Sequence, residues 1–306
     1  MKQNITIVGA NSYIARNLIR IIDWDRFNIY LYDRDKSHFD DYDNYKSLDI
    51  LDQQAVEQIQ WDCKTLFWFS GATGTLAGFE KYKNFVEVNE LGLLNALSAY
   101  RKAQSKAKII FPSTRLVYKG SGEPLTENCE KELKTPYALN KFSCENYLKM
   151  YSYMFDISYC IFRICLPYGA AHGMWENLGT SFGTIGAFLR AAQNNKLITI
   201  YGDGSQKRTL THMGDLCDIM WKGAQSPLCH NDVYNIGGKD VLSLAEISNK
   251  IAKAYGAEVK NIPWPELDKK LESGSTVFNS SKLDKLLNYE YKYGFEQWIK
   301  NQHEIR

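Results

Sequence analysis

The chain has 306 residues, of which 44% are hydrophobic and 24% are charged, a composition typical of a globular protein that buries a core. Its formal net charge of +2 does not indicate a nucleic-acid or anionic-membrane partner, because binding to phosphate groups requires clustered Lys and Arg. No apolar run approaches the roughly 20 residues that span a bilayer, and the N-terminal residues lack a signal-peptide layout, so we expect a cytoplasmic protein. The seven cysteines and five histidines are scattered without a C-x-x-C pair, so we expect reduced thiols and no metal.

Short apolar runs alternate with amphipathic stretches through the first half of the chain. The predicted strands lie at residues 5–8, 29–32, 65–70, 108–112 and 158–164. The predicted helices lie at residues 14–22, around 56–59, at 85–102 and at 135–155. Parallel neighbours need crossover connections, so this alternation predicts an α/β fold with a doubly wound parallel sheet.

The alternation of apolar and amphipathic segments is interrupted after Pro167. A Gly-rich stretch there precedes a predicted helix at 184–194 and predicted strands at 197–201 and 233–236. We therefore predict two domains. A dinucleotide-binding Rossmann domain comprises residues 1–165 and a returning segment at about 208–237. A smaller substrate-binding domain comprises residues 166–207 and 238–306.

The first predicted strand runs into a tight turn and then a helix. Gly9, Ser12 and Ala15 occupy the three positions of a G-x-x-G-x-x-G pattern, and only the first of them is glycine. Small residues at such a turn let the backbone approach a pyrophosphate, although they also occur in ordinary strand-to-helix turns. The turn is therefore a candidate dinucleotide site.

Acidic residues follow this turn at a suitable distance. Asp33 ends the second strand about 20 residues on, where a carboxylate accepts hydrogen bonds from ribose hydroxyls and repels a 2′-phosphate. This favours NAD over NADP, whereas Arg34 could serve a phosphate instead. Asp49 and Ile50 would suit adenine, with a carboxylate for its amine and an apolar side chain against its ring. The alternative for Asp33 and Asp49 is an ordinary surface charge.

Tyr137 and Lys141 lie four residues apart on a predicted helix, which places both on one face, one turn apart. A tyrosine normally keeps its proton to a pH near 10, too high for base catalysis at neutrality. A neighbouring ammonium and the positive nicotinamide of an oxidised cofactor would stabilise the phenolate and lower that pKa. The same lysine could hydrogen-bond the nicotinamide ribose, and the alternative is a surface pair on a helix.

Two adjacent hydroxyls, Ser113 and Thr114, follow the predicted strand at 108–112. They lie at the carboxyl edge, where open α/β sheets bind ligands. Thr114 could hydrogen-bond the substrate oxygen that Tyr137 protonates or deprotonates. The alternative is that both hydroxyls cap or turn the chain.

Together these segments resemble the extended short-chain dehydrogenases, which include sugar-nucleotide epimerases, dehydratases and 4-keto reductases. The resemblance runs nearly end to end, and the order and spacing of its segments are specific. These segments are G-A-N-S-Y-I-A at 9–15, D-I-L-D at 49–52, S-G-A at 70–72, Asn89, S-T-R-L-V-Y at 113–118, T-P-Y-A-L-N-K at 135–141, R-I-C-L-P-Y-G at 163–169, Y-G-D-G-S-Q-K-R at 201–208 with Asp215, and Y-N-I-G at 234–237.

The resemblance implies a set of site residues. The catalytic residues are Thr114, Tyr137 and Lys141. The cofactor would contact Gly9, Ser12, Tyr13, Ile14, Asp33, Arg34, Asp49, Ile50, Ser70, Gly71, Ala72, Asn89, Ser113, Tyr137, Lys141 and Cys165. A nucleotide-sugar substrate would contact Thr114, Arg115, Leu166, Ser181, Phe182 and Arg208. The resemblance also implies a homodimer, formed by pairing the helices at 85–102 and 135–155 into a four-helix bundle.

The chain departs from the family at several of these positions. Leu166 replaces an asparagine that contacts the nucleotide diphosphate. Arg208 keeps an anion-binding position, and its fork suits a diphosphate, but Glu272 replaces the second diphosphate arginine. Arg115 and Leu116 replace the Asp-Glu pair of the 4,6-dehydratases, which disfavours that elimination. Arg115 could face an acidic or phosphorylated sugar or point outward.

We therefore expect an NAD(P)-dependent nucleotide-sugar epimerase, with NAD favoured over NADP, that acts at C4 by hydride transfer and by proton transfer to Tyr137. A nucleotide-sugar 4-keto reductase of the same family uses the same three residues and stays an alternative. An alternative from another class is a non-catalytic dinucleotide-binding regulator or structural subunit. The loss of two glycines from the turn supports it, and the complete set of catalytic residues opposes it.

Overall fold

The structure is a computed structural model that describes residues 2–35, 44–170, 183–194 and 196–304. The chain divides into two compact units. The first unit comprises Met1–Val117, Leu133–Arg163 and Met220–Tyr234. The second unit comprises Tyr118–Glu132, Ile164–Ile219 and Asn235–Arg306.

A seven-stranded sheet forms the centre of the first unit. Its strands are β1 (Gln3–Val8), β2 (Phe27–Asp33), β3 (Tyr45–Ser47), β4 (Thr65–Trp68), β5 (Lys108–Thr114), β6 (Tyr159–Ile164) and β10 (Asp232–Ile236). The order across the sheet is β3-β2-β1-β4-β5-β6-β10, and β1 pairs in parallel with both β2 and β4. This is the strand order of a doubly wound dinucleotide-binding sheet, so the predicted fold class is confirmed.

Helices cover this sheet. They are α1 (Tyr13–Ile19), α2 (Gln53–Glu57), α3 (Ala77–Glu80), α4 (Tyr82–Val86), α5 (Gly92–Lys102) and α6 (Pro136–Phe155). All four residues of β4 are buried, as a strand covered on both faces requires. Val8, Trp68, Leu97 and Ile109 belong to one buried apolar cluster between strands and helices.

The helix predicted over residues 85–102 is helical throughout, but it is not α-helical along its whole length. A π-helical turn at Glu87–Leu91 separates α4 from α5. The turn places Asn89 where its side chain bonds the backbone of Ala72, on the segment after β4. A π turn inside a helix often marks a functional site.

The start of α6 follows the sequence prediction. The Thr135 side chain accepts a hydrogen bond from the Ala138 N–H at 3.0 Å, and Pro136 occupies the first turn. Thr135 therefore provides an acceptor for a backbone N–H that has no partner within the helix, and Pro136 suits the first turn because it has no N–H to satisfy. Asp156, with a left-handed backbone at φ 55°, ends it.

The second unit contains two small sheets. One joins β7 (Leu166–Tyr168), β9 (Lys207–His212) and β11 (Asp240–Ser243), and the other joins β8 (Leu197–Tyr201) and β12 (Glu258–Ile262). Its helices are α7 (Thr184–Asn194), α9 (Leu244–Tyr255), α10 (Glu266–Leu271), α11 (Ser281–Leu287) and α12 (Phe295–Glu304). Helix α8 (Met213–Gln225) contributes residues to both units. Within the described ranges, no helix is long and apolar enough to cross a membrane.

Candidate active site

The turn after β1 requires glycine at its first position. Gly9 has φ +85°, and a Cβ there would lie 2.4 Å from the Ser70 backbone nitrogen. The Gly9 N–H donates to Tyr32 O at 2.8 Å, which ties the turn to β2. The turn therefore packs directly against the segment that follows β4.

The two lost glycines have identifiable replacements. Ser12 is the N-cap of α1, and its hydroxyl accepts a hydrogen bond from the Ala15 N–H at 3.3 Å. Ala15 is fully buried, so its methyl group is part of the core. Tyr13 and Ile14 form the first turn of α1. Ser12 thus stabilises the helix start where the family pattern has glycine.

Asp33 is fixed at the end of β2 by backbone donors. Its carboxylate accepts the Asn11 N–H at 2.8 Å and the Arg34 N–H at 2.7 Å. The Arg34 side chain is 71% exposed, and its Nε lies 3.6 Å from the Asp35 carboxylate. The structure therefore holds Asp33 against the glycine turn, whereas Arg34 extends into solvent.

The two proposed adenine contacts differ in their surroundings. Asp49 is exposed, and its carboxylate accepts the Leu51 N–H at 2.9 Å. Ile50 is buried, and a Cβ on Gly92 would lie 2.5 Å from its Cδ1. Ile50 therefore packs closely against the start of α5.

Asn89 organises the segment after β4. It accepts the Ala72 N–H at 2.8 Å and donates to Ala72 O at 3.1 Å. A Cβ on Gly71 would lie 3.0 Å from Asn89 Oδ1 and 3.8 Å from Lys141 Nζ. Four of the residues predicted to bind the cofactor (Gly71, Ala72, Asn89 and Lys141) are therefore neighbours.

The three predicted catalytic residues also come together. Tyr137 is half-buried on α6 and hydrogen-bonds Thr114 at the end of β5. Lys141, one turn along α6, donates from Nζ to Pro112 O at 2.9 Å and lies 4.3 Å from the centre of the Phe111 ring. The phenol, the hydroxyl and the ammonium thus lie where β5 meets α6.

Burial shifts the pKa of both titratable residues towards the neutral form. Desolvation raises the pKa of Tyr137 to about 12, with the Thr114 hydrogen bond acting in the opposite direction. Desolvation lowers the pKa of Lys141 to about 8, with Cys144 and Glu145 acting in the opposite direction. Lys141 therefore keeps its charge at neutral pH, and Tyr137 needs further positive charge nearby to act as a base.

The neighbour of Thr114 has a different partner. The Ser113 hydroxyl donates to the Glu145 carboxylate at 2.5 Å, and Arg163 donates to the same carboxylate from Nε and Nη2 at 2.9 and 2.6 Å. The sequence prediction did not include Glu145. Its position four residues after Lys141, on the same face of α6, was the available signal.

In the second unit, Arg208 is 2% exposed, and both terminal nitrogens of its guanidinium donate to protein acceptors. Nη1 donates to Lys207 O at 2.9 Å and to Gly274 O at 2.6 Å, and Nη2 donates to Glu272 at 2.8 Å. Glu272 also accepts the Gly274 N–H at 2.9 Å. An anion that binds the arginine fork would compete with this carboxylate.

The remaining predicted contacts have varied environments. Leu166 is buried in β7 opposite Leu210 of β9, and the Cys165 thiol donates to Thr276 O at 3.3 Å. Arg115 is half-buried in a short 3-10 turn after β5. Two further predicted substrate contacts, Ser181 and Phe182, lie outside the described residues.

Comparison with known proteins identifies the family. The model of the NAD dependent epimerase/dehydratase family matches residues 5–237. The chain is 26% identical over 265 residues to a UDP-glucuronate 4-epimerase of Thermodesulfobacterium geofontis, an alignment that covers 84% of this chain and 78% of that protein.

Solved structures share the fold. A UDP-glucose 4-epimerase of Thermotoga maritima, solved with UDP-glucose, superposes with a TM-score of 0.84 at 19% identity, over 98% of this chain and 97% of that one. A Thermus thermophilus UDP-glucose 4-epimerase in complex with NAD gives 0.82 at 20% identity, over 98% of both chains. The family match and the fold lead to one conclusion: the chain belongs to the NAD-dependent epimerase/dehydratase family, and it is an enzyme of the extended short-chain dehydrogenase type.

Proposed function

We propose that the protein is an NAD-dependent nucleotide-sugar 4-epimerase. The observation that carries the proposal is the meeting of Thr114, Tyr137 and Lys141 at the junction of β5 and α6, at the carboxyl edge of the sheet. The relatives named above, which act on UDP-sugars at C4 by their names, support the choice of substrate class and position.

The residues of the first unit fit a dinucleotide. Gly9 has no room for a side chain beside Ser70, so the turn approaches its neighbours as closely as backbone allows. Asp33 would hold the adenosine ribose, and the Gly71–Asn89–Lys141 neighbourhood would hold the nicotinamide end. NAD is proposed rather than NADP because a fixed carboxylate at Asp33 repels a 2′-phosphate, while Arg34 extends away beside Asp35.

Each catalytic side chain has one role in the proposed reaction. Tyr137, as the phenolate, accepts the proton of the sugar C4 hydroxyl, and it returns that proton when the 4-ketone is reduced on its other face. Thr114 hydrogen-bonds the same sugar oxygen. Lys141 stabilises the phenolate with its buried ammonium. Bound NAD would supply the hydride acceptor and return the hydride.

The test is turnover of UDP-, dTDP-, CDP- and GDP-sugars by wild type and by Tyr137→Phe. We expect 4-epimerisation without net NADH release, and a loss of at least about a hundredfold in kcat in the variant, since general acid–base catalysis contributes that much. Tyr30→Phe, at a half-buried position of β2 outside the proposed site, is the matched control and should keep wild-type activity. Stoichiometric NAD(P)H consumption would instead assign a 4-keto reductase. Full activity of Tyr137→Phe would exclude the proposed mechanism.

We also propose a homodimer formed through α4 and α6. Tyr82 and Val86 of α4 are exposed apolar residues four positions apart, and Leu139, Met150 and Tyr153 are exposed along one face of α6. Tyr153 is 88% exposed. Exposed apolar side chains on two helices that contact each other are typical of an interface.

A further inference from the structure

We propose that Glu145 is a positioning residue, which with Arg163 holds the end of β5 against α6 and thereby sets the contact between Thr114 and Tyr137. The inference rests on the proposed function for its catalytic consequence. Its structural basis lies in residues that have no place in the proton transfer itself.

Three consecutive residues of β5 bond to one face of α6. Thr114 bonds Tyr137, the carbonyl of Pro112 accepts from Lys141, and Ser113 donates to Glu145. The three helix positions are spaced by four residues, which is about one turn, so they form a single row. Two of these contacts involve catalytic residues, and the third joins β5 to a carboxylate that the reaction does not use.

The carboxylate that accepts the Ser113 hydrogen bond is held in one orientation. Arg163 bonds both oxygens of Glu145, and the side chains of the two are 2% and 0% exposed. A bidentate ion pair fixes the orientation of a carboxylate as well as its place. The Ser113 hydroxyl is therefore held at a defined point on α6, and Thr114 is the next residue along the chain.

Stability alone does not explain why the Arg163–Glu145 ion pair is buried. Removing two charges from water is expensive, and well-packed apolar residues of similar volume often stabilise a protein as much or more. Apolar residues in place of the ion pair would not fix the position of the end of β5, whereas the Glu145 carboxylate does so through Ser113. Displacing a catalytic group by about 1 Å can reduce the rate about a hundredfold, so even a small movement of Thr114 would be measurable.

The decisive variant is Ser113→Ala, which removes the contact to β5 and leaves the Glu145–Arg163 pair intact. We expect kcat for the nucleotide sugar to fall about tenfold or more, while KM stays within about twofold. Ser113→Thr, which restores a hydroxyl, should recover most of the loss. Glu145→Gln, where it folds, should give the same loss as Ser113→Ala, and the double variant should add little.

Glu90→Gln is the matched control. Glu90 also accepts hydrogen bonds from α6, from Asn140 and Tyr147, but it does not bond β5 in the structure. We expect it to lower stability with no change in kcat. Wild-type kcat in Ser113→Ala, or an equal loss in Glu90→Gln, would overturn the proposal.

A second measurement does not depend on turnover. Amide hydrogen exchange at residues 113–116 should accelerate in Ser113→Ala and stay unchanged in Glu90→Gln, because only the first variant releases the end of β5. If the wild type acts on no nucleotide sugar, the proposed function fails, and this exchange still decides the positioning role. Unchanged exchange in Ser113→Ala would then refute it.

Discussion

Glu272 forms an ion pair with Arg208, the arginine that would bind the diphosphate of a nucleotide sugar. Its carboxylate lies 2.8 Å from Arg208 Nη2, and the guanidinium is almost entirely buried. We predict that Glu272→Gln binds UDP about tenfold more tightly, because the neutral amide keeps an acceptor for Arg208 while the repulsion of the phosphates is removed. Isothermal titration calorimetry measures the change.

Asp268→Asn in α10 is the control for the change in net charge. It removes one negative charge from the same part of the chain, and its affinity for UDP should stay within about twofold of wild type. Unchanged or weaker UDP binding by Glu272→Gln would show that Arg208 serves the fold and not the diphosphate.

Lys141 makes stability depend on pH in a defined direction. Its pKa is 10.5 in the unfolded chain and about 8 in the folded protein. Between these values the unfolded chain binds more protons, so the free energy of unfolding rises with pH. The unfavourable contribution of the buried ammonium, on the order of 3 kcal/mol, is therefore complete below about pH 8 and fades towards pH 10.5.

We therefore predict that Lys141→Met is more stable relative to wild type at pH 7 than at about pH 9.5, although it is inactive at both. Urea unfolding at the two pH values measures the difference, and groups that titrate in both proteins cancel. Lys106→Met, at an exposed position, should show no such change. A pH-independent difference for Lys141→Met would contradict the buried, titrating ammonium.

Residue spacing predicted part of this site and could not predict the rest. The four-residue interval between Tyr137 and Lys141 places them on one helical face whatever the tertiary structure is. Arg208 and Glu272 are 64 residues apart in the sequence. Arg163 of β6 forms its ion pair with Glu145 of α6. Such pairs depend on packing, and a single sequence carries no local signal for them.

At the level of elements, the start of α1 shows how the chain tolerates its altered glycine turn. Ser12 supplies the N-cap, a role that a glycine fills nearly as well and an alanine does not. We predict that Ser12→Ala lowers the free energy of unfolding by about 1 kcal/mol, and that Ser12→Gly lowers it by only a few tenths. Chemical denaturation measures both.

The Kd of NAD separates the two roles of this turn. Ser12→Gly restores the family pattern, so its affinity for NAD should equal or exceed that of wild type. Equal destabilisation by both substitutions would contradict the capping role. Weaker NAD binding by Ser12→Gly would show that the serine hydroxyl itself contacts the cofactor.

Elements with strong local sequence signals lie where they were predicted, whereas two elements without such signals were missed. Thr135 and Pro136 marked the start of α6, and the helix at 184–194 and the strand at 197–201 have the predicted bounds. The π turn at Glu87–Leu91 was missed because its one extra residue per turn leaves a sequence that still reads as helical. The edge strand Tyr45–Ser47 was missed because its three residues are partly or fully exposed and have no apolar pattern.

At the scale of the whole molecule, the proposed dimer interface on α4 and α6 can be tested by placing a charge in it. A charge placed in a desolvated interface is strongly unfavourable, so Met150→Glu, at an exposed position of α6, should shift the proposed dimer to the monomer of 35.2 kDa. Leu228→Glu is the matched control, since Leu228 is at least as exposed but lies outside α4 and α6. Light scattering coupled to size-exclusion chromatography, over a range of concentrations, distinguishes the two species. A monomeric wild type, or a dimer that survives Met150→Glu, would place the interface elsewhere or remove it.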